Sequence, residues 1–425
     1  IVEHSIMDKL LCDLSNHEIS KNKQFKWLSR FYVLYIFSFP FVHAFAISGT
    51  INFSVLLSLS LLIYLLYKHY VILNVQVGIL CLLLLNIYVS FLLNISDGNL
   101  KLISHSAAWT TSILLFFVVP FSLFKRIPIN KINHVLYIIY YITVSFSILE
   151  YLDVNIFNIG FTNLIPRPDG SDYDPIFIWG IRSRSFFVES GYFAMFVLLY
   201  FPVICYMERG RLFRLKNIVL IVLTILAMLF AFSTTFFILS IFYLVILFLF
   251  SSRKNFALKI LLLFSVLLLF YCLYKQELDA VFDIVILSKF DSTSFSSRTS
   301  LNEDSLNYIR EHYSLLHLLW GYGPGSYDYL NLEAAISTYV NIIRDLGLIG
   351  LFLFVCFYCS VFVKLLFSKS VFSKYMLFSL FSSIVYLHTN TSYYYAFSWF
   401  VIILSLNVEN IEKYESQNNS YNCLS

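Results

Sequence analysis

The sequence predicts an all-α polytopic membrane protein with about twelve transmembrane helices. Hydrophobic residues make up 59% of the 425-residue chain, and its mean hydropathy is +0.77. Only 13% of the residues are charged, against about 25% in soluble proteins. Apolar runs of about 20 residues, each matching the thickness of a bilayer core, recur between short polar or basic stretches. Together these three observations define the fold class.

The apolar runs predict the spans in chain order, and the whole chain, 1–425, forms a single integral membrane domain. No run of soluble-domain composition and no short repeat interrupts the pattern. The predicted spans cover about 31–48, 52–67, 71–93, 106–124, 133–152, 186–206, 217–232, 234–250, 256–274, 337–363, 375–389 and 392–407.

The basic residues give the expected orientation. Most of the 29 Lys and Arg residues lie in alternate flanks of the spans, and the positive-inside rule then places both termini in the cytoplasm. The net charge of +4 comes from these flanks, so we expect no nucleic-acid partner. The seven cysteines show no disulfide framework and no metal-type spacing with histidine, so the sequence predicts no metal site.

Two loops are much longer than the others, and both are predicted on the outer face: 153–183 and 275–336. The first contains IPRPDGSDYDPIFIWGIRSRS, which combines carboxylates, aromatic rings and arginines. Carboxylates accept hydrogen bonds from sugar hydroxyls, rings stack on sugar C–H faces, and arginines bind diphosphate through paired donors. The alternative is a solvated loop whose arginines lie at the level of the lipid headgroups.

Charged residues inside predicted spans are informative because each costs about 2.5–3.5 kcal/mol at the bilayer centre. Glu189 is predicted about one turn inside the sixth span, and Arg344 and Asp345 about two turns inside the tenth. Such residues have either a functional role or a buried partner, and pairing of Asp345 with an arginine elsewhere in the bundle is the structural alternative. Glu150 is expected at an exposed helix end.

Three glycines, Gly321, Gly323 and Gly325, form a Gly-x-Gly-x-Gly pattern in the second long loop. The pattern follows no predicted strand and opens no nucleotide-binding helix, so it is not a dinucleotide fingerprint. A turn at the membrane surface is the simpler interpretation.

Several segments, in this order, resemble the O-antigen ligase/polymerase superfamily of undecaprenyl-diphosphate-dependent glycan enzymes. Members of that family have an arginine after small residues in the last large periplasmic loop, then G-x-G-x-G, then a pattern ending in E-x-GLIG at the start of the next span. The corresponding segments here are Ser296-Ser297-Arg298, WGYGPGSY at 320–327 and ISTYVNIIRDLGLIG at 336–350.

The resemblance extends over about residues 180–360. Tyr339, Ile342 and Asp345 fall in register with the last pattern, and RSRSFFVESGYFAMF at 182–196 resembles the family's arginine-containing segment. Ile336 stands where ligases carry a histidine proposed as a base, followed by Ser337 where Asn is common. That departure disfavours the ligase branch and favours the Wzy-type polymerase branch.

The resemblance implies a GT-C-like membrane glycosyltransferase of the bacterial inner membrane that polymerises O-antigen or a related surface polysaccharide in lipopolysaccharide biosynthesis. It implies no cofactor. The implied partners are an undecaprenyl-diphosphate-linked oligosaccharide and membrane lipid. The resemblance is also compatible with a polysaccharide chain-length regulator as a partner. The implied roles are diphosphate or glycan binding by Arg182, Arg184, Arg298, Arg344 and Tyr339, and catalysis by Glu189 and Asp345.

Three alternatives stay open. The ligase that transfers finished polymer to lipid A core is the nearest. A repeat-unit flippase has a similar size and span count, but its charges should line many spans rather than gather at the outer face. A structural membrane protein explains neither the Arg344-Asp345 pair nor the ordered motifs.

Overall fold

The computed structural model describes most of the chain. The described residues are 26–45, 52–68, 70–97, 100–167, 175–176, 180–209, 214–233, 235, 239, 293–389 and 395–414. The predicted span at 256–274 lies outside these residues, as does nearly all of the one at 234–250.

Helices dominate the described part of the chain, and two of them, Thr293–His312 and Leu315–Trp320, lie within the segment 275–336 that was predicted as a loop. The first eight are α1 (26–37), α2 (Phe53–Lys68), α3 (Val75–Leu93), α4 (Leu100–Phe124), α5 (Ile129–Phe157), α6 (Ser190–Met207), α7 (Leu215–Ala231) and α8 (Thr293–His312). They are followed by α9 (Leu315–Trp320), α10 (Thr338–Phe367), α11 (Val371–Thr389) and α12 (Ala396–Leu406). A two-stranded antiparallel ribbon, β1 (Pro175–Ile176) with β2 (Gly180–Ile181), lies between α5 and α6.

Six of the described helices are long and apolar enough to cross a membrane, which confirms a membrane-embedded, mainly α-helical protein. They are α3, α4, α5, α6, α10 and α11. The shorter apolar helices α2, α7 and α12 coincide with three more predicted spans.

The core lies around α12, in which every residue is buried. A helix that is apolar on all sides is stable only when other helices surround it, and α12 packs against α4, α6, α10 and α11. On the outward sides of α2, α3 and α10 the pattern is reversed, because large apolar side chains such as Ile63, Leu85 and Phe352 are more than half exposed. An apolar outer surface of this kind is suited to lipid.

Several observed helices differ from the predicted spans by four or more residues at an end; α4, for example, begins at Leu100 rather than at 106. The first predicted span, 31–48, is not one helix: α1 ends at 37, and a short 3-10 turn, Phe39–Val42, follows. Pro40 lies in that turn, and its missing N–H donor interrupts the α-helical hydrogen-bond pattern. The sixth span begins later than expected, so Glu189 is not one turn inside the helix; it is the exposed N-cap residue of α6, with extended backbone.

Candidate functional site

A break in α10 organises the polar centre of the protein. Gly347 interrupts the helix with φ 68° and ψ −169°, a conformation open to glycine and strained for other residues. A side chain at this position would collide with the backbone of Leu319 in α9. The break therefore occurs where the end of α9 crosses α10 in direct backbone contact.

The break leaves three consecutive backbone carbonyls outside the helical hydrogen-bond pattern, and other elements satisfy each of them. The Arg344 carbonyl accepts from the Tyr322 N–H at 3.0 Å and the Tyr313 hydroxyl at 2.7 Å. That of Asp345 accepts from the Gly323 N–H and the Ser90 hydroxyl, both at 2.9 Å. The Leu346 carbonyl, in turn, accepts from Asn86 of α3 at 3.1 Å.

We call residues 321–326 the glycine loop. Gly321, Gly323 and Gly325 all have positive φ, at 77°, 93° and 78°, which explains why the pattern needs glycine. A Cβ at Gly321 would collide with the backbone of Asp345, and one at Gly325 with the ring of His105. The loop therefore lies directly on α10 on one side and on α4 on the other.

The Asp345 carboxylate is the centre of this contact. One oxygen, Oδ2, accepts from the Gly325 N–H at 3.0 Å. The other, Oδ1, accepts from the Ser326 hydroxyl at 2.8 Å and from Arg344 Nε at 3.0 Å. Asp345 is thus paired with its own neighbour rather than with an arginine elsewhere in the bundle.

Arg344, the ion-pair partner of Asp345, is also buried, with only 1% of its surface exposed. Its Nη2 donates to Asn341 Oδ1 at 2.7 Å and its Nη1 to the Ser305 hydroxyl of α8 at 3.3 Å. The guanidinium also lies 5.3 Å from the Tyr327 ring centroid. A buried ion pair with all these hydrogen bonds holds neighbouring elements in one arrangement. Burial also raises the pKa of Tyr313, which keeps its hydroxyl protonated as a donor to the Arg344 carbonyl.

A second buried network centres on Glu150, about two turns before the end of α5. The expectation of an exposed carboxylate was wrong, because Glu150 is 0% exposed. Its Oε2 accepts from the backbone N–H groups of Arg184 and Ser185 at 2.7 and 2.6 Å, and its Oε1 pairs with Arg167 at 2.7 Å. The carboxylate fixes the turn before α6, where Ser185 has a positive φ of 54°.

Arg184 and Arg182 lie in the segment that leads into α6. Arg184 is buried, donates from Nη1 to the Val188 carbonyl at 3.0 Å, and has its Nε 4.0 Å from Glu150 Oε1. Arg182 is half-buried in the same segment. The segment ends at the exposed Glu189. The predicted site residues Arg182, Arg184 and Glu189 therefore lie within one segment of eight residues.

The other sequence-predicted residues belong to α8 and α10. Tyr339 is half-buried, and its hydroxyl donates to the Ile384 carbonyl of α11 at 2.9 Å. The backbone of Arg298 lies in α8, while its side chain falls outside the described part of the structure. The structure thus unites Arg344, Asp345 and the glycine loop in one network, and holds Arg184 in a second network with different partners.

Sequence reasoning missed several polar residues at these sites. Arg167 was not singled out, and neither was Asp153, whose carboxylate accepts from the Gly160 N–H and from the N–H and hydroxyl of Thr162. Two carboxylates one helical turn apart, Glu150 and Asp153, at the end of a long apolar run were the available signal.

Beside the glycine loop, Lys101 and His105 of α4 were also missed. Lys101 Nζ lies 3.4 Å from the Tyr327 hydroxyl and 3.9 Å from Asp328, with 46% of its side chain exposed. His105 Nε2 lies 3.4 Å from the same hydroxyl. An exposed cation therefore borders the buried Arg344-Asp345 pair.

The described residues contain no group of three or more His, Cys, Asp or Glu side chains arranged to hold a metal ion. In comparisons with known proteins, no family model matches the chain and no curated protein sequence matches it.

Proposed function

We propose that this chain is a polysaccharide polymerase that joins undecaprenyl-diphosphate-linked repeat units at the periplasmic face of the bacterial inner membrane. The observation that carries the proposal is the packing of the glycine loop on the Arg344-Asp345 pair. The glycine loop and the broken helix α10 correspond to two adjacent motifs of the family resemblance. The contacts between them give a structural reason for both motifs. A generic span gains nothing from a broken helix with a buried ion pair, because both are costly in a membrane.

The two buried networks have positioning roles in this proposal. Arg344 and Asp345 use their polar atoms on protein partners, so they hold the glycine loop in place instead of binding substrate directly. Glu150 and Arg167 likewise fix the segment 182–189. The candidates for contact with the substrate diphosphate are Arg182 and Arg298, with the exposed Lys101 beside the loop as an additional cation, whereas the buried Arg184 belongs to the Glu150 network.

The proposed reaction is a glycosyl transfer. A sugar hydroxyl of one lipid-linked repeat unit attacks the anomeric carbon of a second lipid-linked glycan, and a new C–O bond forms. The bond from that carbon to the diphosphate breaks, and the lipid diphosphate leaves with the electron pair. Cationic side chains stabilise the negative charge that develops on the leaving group, and a carboxylate accepts the hydroxyl proton.

Of the two candidate carboxylates, Glu189 is the better placed to accept this proton. It is exposed at the start of α6, whereas both oxygens of Asp345 accept hydrogen bonds inside the protein. A general base must come within hydrogen-bond distance of the substrate hydroxyl. We therefore assign Glu189 as the base and Asp345 as a positioning residue.

The repeat-unit flippase is the second candidate, because one observation favours it. Transporters commonly bind substrates at interrupted transmembrane helices, and α10 is interrupted at Gly347. In this chain, however, the carbonyls exposed by the break bond to protein groups, so the break forms no open binding site.

The polysaccharide ladder of a strain lacking this gene tests the proposal. A polymerase mutant carries core with a single repeat unit and no ladder. Bare core with long lipid-linked polymer indicates a ligase, and bare core with neither polymer nor single units indicates a flippase. An unchanged ladder would refute all three functions. Restoration of the ladder by the gene on a plasmid is the control for effects on neighbouring genes.

A further inference from the structure

A groove runs along α8, on the side of that helix that faces segment 331–333. Its volume is about 610 Å³, and its lining residues are mostly polar. They are Ser300, Leu301, Asp304, Asn307, Tyr308, Glu311, His312, Asn331, Leu332 and Glu333. The volume lies within the range of about 300–1,000 Å³ typical of small-molecule sites.

The charged residues that line the groove are mainly acidic. Asp304, Glu311 and Glu333 are exposed carboxylates, and His312 is the one lining residue that can carry positive charge. A cleft lined by a single sign of charge concentrates its field within the cleft and selects the charge of what enters. This groove therefore favours ligands rich in hydroxyl or ammonium donors and repels carboxylates and phosphates.

Aromatic rings form one end of the groove. The Tyr308 and His312 rings are stacked, with centroids 4.4 Å apart. Tyr322 of the glycine loop lies 6.1 Å from the Tyr308 ring, and its hydroxyl donates to the His312 carbonyl at 3.2 Å. Because the ring faces carry negative potential, they attract the polarised C–H groups of a pyranose.

The groove is also connected to the buried ion pair. Ser305 follows Asp304 in α8 and lies one helical turn after Leu301, which lines the groove, and its hydroxyl accepts from Arg344. Adjacent faces of α8 thus contact the Arg344-Asp345 network and line the groove. A chain bound in the groove would therefore lie beside the helix that contacts the Arg344-Asp345 network.

We propose that this groove binds the oligosaccharide of the substrate, and that it accepts neutral or amino-bearing sugar chains and rejects chains of uronic acids. This inference rests on the proposed function and adds to it a substrate class. Hydroxyl and ammonium groups donate to Asp304, Glu311 and Glu333, and the Tyr308 ring stacks on a sugar face. The diphosphate, which is anionic, binds elsewhere.

Three tetrasaccharides test the inference with the full-length protein in lipid nanodiscs: tetraglucosamine, tetra-N-acetylglucosamine and tetragalacturonate. We expect the amino-bearing and neutral chains to bind and tetragalacturonate to bind at least about fivefold more weakly, the upper value for one exposed ion pair. Equal or tighter binding of tetragalacturonate, or no binding of the other two chains, would overturn the inference.

Charge reversal within α8 provides the matched comparison. Glu311→Lys should weaken tetraglucosamine binding by about 1.5- to 5-fold and strengthen tetragalacturonate binding by a similar factor. Glu303→Lys makes the same change on the same helix at an exposed residue that does not line the groove, so it should leave both affinities unchanged. Equal effects of the two variants would mean that the groove does not bind the sugar.

The binding measurement does not depend on polymerisation, so the proposed polymerase function and the proposed sugar groove can be refuted independently. Selective binding of the probes together with an unchanged ladder in the deletion strain would refute the polymerase alone. Loss of the ladder together with no discrimination among the probes would refute the groove alone.

Discussion

The Asp345 carboxylate accepts a hydrogen bond from the backbone N–H of Gly325 at 3.0 Å, across 20 positions of sequence. The same carboxylate binds Arg344 and Ser326, so a single side chain connects the glycine loop, the broken helix α10 and the buried guanidinium. The position of the loop therefore depends on a charge that is almost completely enclosed by protein.

Asp345→Asn should destabilise the protein, since it leaves the Arg344 guanidinium buried without its counter-charge. Breaking a buried ion pair costs about 3–5 kcal/mol. We expect a lower midpoint of thermal unfolding in detergent and less folded protein in the membrane. Asp328→Asn is the control, because Asp328 is 44% exposed and the N–O distance of its ion pair with Lys101 is 3.9 Å. A midpoint equal to that of the wild type would contradict this role for Asp345.

Gly321→Ala should also destabilise the protein, for a steric reason. Gly321 has φ 77° and ψ −178°, a region that costs other residues about 1–3 kcal/mol, and the new methyl group would collide with the Asp345 backbone. Gly78→Ala is the matched control because nothing lies within 4 Å of the added Cβ in α3. In a helix interior that change should stabilise by about 0.5–1 kcal/mol. Thermal unfolding of the two variants in parallel measures the difference. If the unfolding midpoint shifted in the same direction in both variants, the close contact between Gly321 and Asp345 would be refuted.

Hydropathy predicted the helices well because bilayer thickness and apolar composition determine them locally. The second predicted span, 52–67, differs from α2 by one residue at each end, and the tenth, 337–363, begins one residue before α10. One failure has a tertiary cause. The break at Gly347 arises where α9 crosses α10, and a hydropathy profile contains no information about that crossing.

The candidate site was predictable in its residues and much less in its contacts. The glycine pattern and the Arg344-Asp345 pair were recognised, yet their mutual packing requires the three-dimensional path of the loop. Glu150 was misjudged because burial of a carboxylate near a helix end depends on Arg167, which lies 17 residues further along the chain. A lone charge near a span end is compatible with exposure or pairing, and the sequence does not distinguish them.

Glu150→Gln should destabilise the segment that carries Arg184. The substitution removes the charge that pairs with Arg167 and places an amide NH₂ where a carboxylate accepts backbone hydrogen bonds, at a cost of about 3 kcal/mol or more. Glu208→Gln is the control, because the Glu208 pair with Lys216 is partly exposed and is worth about 1 kcal/mol or less.

A double-mutant cycle with Arg167→Gln isolates the Glu150–Arg167 interaction. If the two residues act as a pair, the double variant should be less destabilised than the sum of the single variants, as measured by thermal unfolding. Full additivity of the two effects would show that the ion pair contributes nothing.

Arg298→Ala should abolish long polymer while the protein stays in the membrane. Loss of one cationic group that stabilises a leaving diphosphate lowers the rate by about 10²–10³, which would reduce the ladder to single repeat units. The matched control is Arg310→Ala, which removes an exposed arginine of the same helix α8. A normal ladder from Arg298→Ala, at wild-type abundance, would exclude this arginine from the diphosphate site.

Glu189→Gln separates catalysis from stability. Glu189 is exposed, and substitutions of exposed residues usually change stability by about 0.5 kcal/mol or less, so the variant should reach nearly wild-type abundance and thermal stability. If the carboxylate accepts the hydroxyl proton, the rate of polymerisation should fall by about 10²–10⁴, measured as loss of the ladder and as turnover of lipid-linked repeat units. Glu189→Asp keeps the carboxylate and should retain part of the activity. Asp345→Asn should show the opposite profile, with activity falling only as far as the amount of folded protein. Full activity of Glu189→Gln, or a loss of activity in Asp345→Asn at unchanged abundance, would reverse the two assignments.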